Sequence, residues 1–258
     1  MSTTVTTEGL DLRSLADLYE ETLKVRNACA NRLRAIGQGR DDPPAPAEIA
    51  SSPLLDRLNE ALEEARKQME RALADHPIYE WLMGVPGINR TIGCRILGLI
   101  PMDSEADFCT FSKLRVFAGL CPGRNRHKKG QKSCFSGRLK TVLFIAFESM
   151  LKVQGVCRGK RNAPTAFYAE IYHKWREIYR SRHETNGDEA WSKMHQHLAA
   201  KNKMLDVFLC HVWRQWREAQ GWDVRSLYIH EKKGHQMDYQ AETFNSPDMA
   251  HEKIKQHG

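Results

Sequence analysis

Residues 77–100 read Pro-Ile-Tyr-Glu-Trp-Leu-Met-Gly-Val-Pro-Gly-Ile-Asn-Arg-Thr-Ile-Gly-Cys-Arg-Ile-Leu-Gly-Leu-Ile. An apolar helix runs into a tight turn, Gly84-Val85-Pro86-Gly87-Ile88, and a second helix starts near Asn89. Asn89 or Thr91 is the expected cap, because a short polar side chain accepts a hydrogen bond from the first helical turn. Pro101 ends the second helix, since proline has no N–H to extend it.

Outward from this turn the apolar residues keep helical spacing. Upstream, residues 8–38 carry Leu12, Leu15, Leu18, Tyr19, Leu23, Val25, Cys29, Leu33 and Ile36, with Gly37 as the stop. Gly39-Arg40-Asp41-Asp42-Pro43-Pro44-Ala45-Pro46 is a turn-rich break. A second helix is expected over 52–74, with Leu54, Leu55, Leu58, Leu62, Ala65 and Met69 as its stripe. The two predict an antiparallel hairpin or coiled-coil-like arm, but the stripe covers too few heptads to decide between coiled coil and bundle. Core packing and dimerisation are equally open roles.

Downstream, Asp103 to Asp107 form a short acidic connector, and Phe108, Phe111, Leu114, Val116, Phe117 and Leu120 suggest a short helix. Leu139 to Val153 reads as a buried helix. From Pro164, Tyr168, Ile171, Tyr172, Trp175, Ile178 and Tyr179 follow three-and-four spacing. A last helix over 191–219 has the stripe Met194, Leu198, Leu205, Phe208, Leu209, Val212, Trp213 and Trp216. Strand-like alternation is nearly missing. The expected fold is mostly α: a helical arm over 1–75, a compact helical domain over 76–220 and a polar tail over 221–258.

The chain has 258 residues, 41% hydrophobic and 28% charged, which excludes a mostly disordered chain. It contains no long apolar run, so no membrane partner is expected, and its first residues do not read as a secretory signal. Seven scattered cysteines without a Cys-x-x-Cys pair fit reduced thiols in a cytoplasmic protein. The net charge of +7 fits a polyanionic partner.

That charge is concentrated. Between Asp107 and Glu148 there is no acidic residue, while Lys113, Arg115, Arg124, Arg126, Lys128, Lys129, Lys132, Arg138 and Lys140 are all cationic. Solvated faces usually mix signs, so the stretch reads as a phosphate-binding surface; Gly123, Gly130 and Gly137 allow close backbone approach. The competing reading is a loop kept soluble by its lysines.

The turn at 84–91 resembles the helix-hairpin-helix DNA-binding unit, in which exposed amides and a helix N-terminus grip a backbone phosphate. Val85-Pro86-Gly87-Ile88 fits its first half. Asn89 stands where a second glycine is usual and tolerates a left-handed backbone; Gly93 stands where alanine is common. Val85, Gly87, Ile88, Asn89, Arg90 and Thr91 are therefore candidate contacts. A plain αα-turn without a ligand is the alternative.

The order of these elements resembles the C-terminal transposase domain of the bridge-RNA-guided, DEDD-type insertion-sequence transposases, which are related to Piv-type DNA invertases. The matching residues are Val85-Pro86-Gly87-Ile88, Phe111 to Pro122, the Lys128-Lys129-Gly130-Gln131-Lys132 loop and the Leu139-Lys140 helix opening. Ala199-Ala200-Lys201, Phe208-Leu209 and Trp213 resemble one branch of the family, and residues 8–74 are similar to its helical arm.

The resemblance implies DNA transposition or recombination, self-association, nucleoid association, and DNA with a guide RNA as partners. Family members carry an N-terminal RuvC-like nuclease domain with four acidic metal ligands. This chain opens on the arm, and Asp11, Asp17, Glu20 and Glu21 read as the solvated side of a helix. A separately encoded nuclease domain holding Mg is therefore expected, with no cofactor in this chain. The family's serine nucleophile precedes a Gly-Lys in its loop; here Lys128-Lys129-Gly130 stands at that place, and Ser133 and Ser136 are the nearest candidates. A non-catalytic nucleic-acid-binding protein and a helical adaptor for an acidic protein are the alternatives.

His195 and His197 do not share a helix face, and with Cys210 and His211 they are not spaced as four converging zinc ligands; Asp103, Glu105 and Asp107 read as a solvated connector. The Tyr168–Tyr179 stripe is either core or a base-stacking surface.

Overall fold

The computed structural model describes residues 11–38, 52–121, 133–156, 167–183 and 191–225, and every regular element among them is a helix. In chain order these are α1 (Leu12–Gln38), α2 (Pro53–Ala74), α3 (Tyr79–Met83), α4 (Arg90–Gly98), α5 (Phe111–Phe117), α6 (Gly137–Val156), α7 (Phe167–His183) and α8 (Lys193–Ala219). The fold is mostly α, as the periodicity predicts. No helix among the described residues is long and apolar enough to cross a membrane.

Contacts divide the chain into two compact units. One comprises Met1–His76 and Cys94–Pro101; the other comprises Pro77–Gly93 and Met102–Gly258. The C-terminal part of α4, from Cys94, thus groups with the first unit.

In the first unit, Asp11 caps α1, its carboxylate accepting from Ser14 N–H at 2.7 Å, and that bond lowers its pKa. Pro53 opens α2 at a position where a missing N–H costs nothing. The two helices run antiparallel: Arg26 Nε donates to Asn59 Oδ1 at 3.0 Å, and Tyr19 lies within electrostatic reach of Arg66. Leu15, Ala16, Tyr19, Leu55, Ala65, Met69 and Leu73 form the seam. Leu18, Val25 and Leu54, assigned to the stripes, are exposed. Gly98 exists for packing, because a Cβ there would stand 2.5 Å from Ala16 Cβ. Glu20 also departs from its assignment to the solvated side: it is half-buried in an ion pair with Arg95 at 2.6 Å.

The second unit is built on α6, α7 and α8. Phe147, Met150, Tyr168, Tyr172, Met204, Phe208 and Trp213 are buried in its core. Tyr168 and Tyr172 face His211 and His197 while Lys203 lies on Trp175, so α7 and α8 are antiparallel. Arg217 is buried and donates to the carbonyls of Glu105, Asp107 and Asp223, fixing the connector against the end of α8. Asp107 itself accepts from Asp103 and Ser104, an internal loop cap rather than a solvated carboxylate. Helix α6 is not buried all round, since Phe144, Ile145 and Val153 are exposed. Met194 and Leu198, expected on the buried stripe of α8, also face out.

Candidate nucleic-acid interface

The turn between α3 and α4 is held by buried Val85 and Ile88, whose backbones close a bond from Ile88 N–H to Val85 O at 3.0 Å. Gly87 has φ +97°, a region that side chains with a Cβ avoid. A Cβ on Gly87 would lie 2.5 Å from Met150 Cα and 2.9 Å from Ser149 O. The turn is thus pressed onto the backbone of α6. Ser149 Oγ donates to Gly87 O at 2.6 Å, and Gln154 Nε2 donates to Pro86 O at 2.8 Å. Two carbonyls face α6, so the glycine serves packing first.

Asn89, rather than Thr91, caps α4: its Oδ1 accepts from Ile92 N–H at 2.8 Å, and its carbonyl accepts from Gly93 N–H. Asn89 and Arg90 are exposed, and their backbone N–H groups meet no acceptor among the described residues. Thr91 is half-buried.

Arg124, Arg126, Lys128, Lys129 and Lys132 lie outside the described residues. The segment that leaves them is described. Ser133 Oγ accepts from Phe135 N–H and donates to Phe135 O, a local turn. Ser136 is held by a bond from its N–H to Phe117 O at 2.7 Å, and its hydroxyl accepts from Leu139 N–H at the start of α6. Arg138 is exposed, and Lys140 Nζ lies 4.7 Å above the Phe135 ring. The turn at 84–89 docks near Met150, and α6 opens at Gly137. At about 1.5 Å per residue the two are roughly 20 Å apart along α6.

Sequence reasoning missed the placement of Lys201 beside Lys140. Its Nζ lies 4.8 Å above the Phe144 ring, which stands one turn beyond Lys140 on α6. Burial lowers the Lys201 pKa, the nearby Lys140 charge lowers it further, and Glu148 opposes both. Neither lysine has a carboxylate within ion-pair distance among the described residues. Only folding brings positions 140 and 201 together, so spacing gave no signal. Residues 190–205, which contain Lys193, Lys201 and Lys203, hold no acid either.

The histidines diverge. His211 Nδ1 pairs with Tyr168 OH at 2.9 Å, His197 Nδ1 pairs with Tyr172 OH at 2.7 Å, and His195 stacks on Trp191. No group of three or more metal-ligating side chains converges among the described residues. No protein-family model matches the chain, and no curated protein or solved structure matches it.

Proposed function

We propose that the chain is a DNA-binding, transposase-related protein that acts in DNA transposition or recombination by gripping the phosphate backbone. The observation that carries this reading is the juxtaposition of Lys140 and Lys201: burial and then the Lys140 charge lower the Lys201 pKa, and neither lysine has a carboxylate within ion-pair distance among the described residues. A phosphate between them relieves that repulsion and releases counterions from the nucleic acid. The acid-free run between Asp107 and Glu148 extends the field, and Asn89 and Arg90 offer amides and a guanidinium about 20 Å along α6. That span covers several phosphates of one strand.

Strand transfer then falls to a RuvC-like domain with Mg, and a guide RNA is a further partner. A non-catalytic reading is favoured by one feature: both candidate serine hydroxyls, Ser133 and Ser136, are engaged in local turns. Cleavage assays with and without a RuvC-type partner separate the two. The arm supports self-association; light scattering that finds a monomer at micromolar concentration contradicts this. Replacing Lys128, Lys129 and Lys132 with alanine should weaken DNA binding on every sequence and flatten the slope of log affinity against log salt by up to about three units. An unchanged slope in the folded variant removes the basic loop from the interface.

A further inference from the structure

The aromatic stripe of α7 divides into two halves. Tyr168 and Tyr172 are buried and meet their neighbours edge-on, Tyr168 against Phe208 at 87° and Tyr172 against Phe147 at 64°. Trp175 and Tyr179 are only half-buried, and their geometry differs. Trp175 and Tyr179 lie 5.6 Å apart at 35°, Tyr179 and Trp191 lie 5.4 Å apart at 33°, and Trp191 stacks on His195 at 4.1 Å and 6°. His195 is exposed at one end of this ladder, and Lys203 Nζ stands 4.8 Å above the Trp175 ring at the other.

We infer that this seam between α7 and α8 is a stacking platform for the bases of a single-stranded nucleic acid. The inference rests on the nucleic-acid reading above and deepens it. Edge-on rings close a core, whereas the near-parallel Trp191–His195 pair, open to solvent at the exposed His195, accepts another flat ring on its end. Each base added to such a platform is held by its π face without regard to sequence. The charge agrees: the first half of α8 is free of acid from 190 to 205, so Lys193 and Lys203 meet the phosphates that accompany stacked bases. Base faces and phosphates are common to DNA and RNA, and the sugar distinguishes them.

The test uses the full chain with oligo(dT), oligo(rU) and a DNA duplex as probes. Oligo(dT) or oligo(rU) should bind and quench tryptophan fluorescence, and the tighter of the two names the strand. His195→Ala and Trp191→Ala should each weaken single-strand binding about tenfold, Trp191→Phe should restore most of it, and duplex affinity should hold. His195 is exposed, so its variant keeps the fold; circular dichroism checks this. Equal losses on single strand and duplex, or no loss on either, overturn the platform. Duplex binding with no single-strand binding overturns the platform and leaves the nucleic-acid reading standing. Failure to bind any probe overturns both.

Discussion

Arginines of the arm and three lysines of the α6–α8 face handle positive charge in different ways. In the arm, Arg66 bridges Glu63 and Glu70 on its own helix, and Arg95 is buried against Glu20 with Tyr19 beneath its guanidinium. Around α6 and α8, Lys140, Lys201 and Lys203 rest on aromatic rings with no carboxylate within ion-pair distance among the described residues. Paired cations hold a fold, while cations seated on rings keep their field for something else. Charge count alone hides this difference, since both regions are rich in arginine or lysine.

The largest effect is expected where the hairpin meets α6. Gly87→Ala combines a strained φ with a backbone clash and should cost on the order of 4 kcal/mol, read by urea unfolding. Any side chain at Gly87 thus loosens the second unit before it reports on phosphate binding. A variant as stable as the parent breaks the packing account.

In the arm, Arg95→Met should cost about 3 kcal/mol, because it strands Glu20 where both partners are largely buried. The salt dependence of DNA binding should not change. A shift in that slope would erase the contrast between the two regions.

A smaller effect concerns pH. Burial pushes His76 down to about 4 from an ordinary value of 6.5. The folded state therefore favours the neutral ring. Its stabilisation is fully present above about pH 6.5 and is lost as pH falls towards 4. The melting temperature should drop across that window, and His76→Gln should remove the drop attributable to this residue. An identical pH profile in the variant counts against it.

Helical periodicity made the architecture legible, because each apolar stripe had to face something. It misplaced Leu18, Leu54, Met194 and Leu198, which periodicity puts on a buried side that the packing partner does not reach. Glu20 reads as solvated from the sequence because its partner, Arg95, lies on a different helix far along the chain. The hairpin residues and the basic run were visible as local patterns. Lys201 was not, because its neighbours Phe144 and Lys140 come from α6. The aromatic stripe was visible, but only burial and ring angles separate its core half from its surface half.

The most direct measurement is the salt dependence of DNA affinity for Lys140→Ala/Lys201→Ala beside Arg66→Ala in the arm. The phosphate-grip account predicts that the double variant flattens the slope of log affinity against log salt by about two units, roughly one per lost phosphate contact. Arg66→Ala should leave the slope as it is. A double variant with the parental slope, correctly folded, contradicts the account.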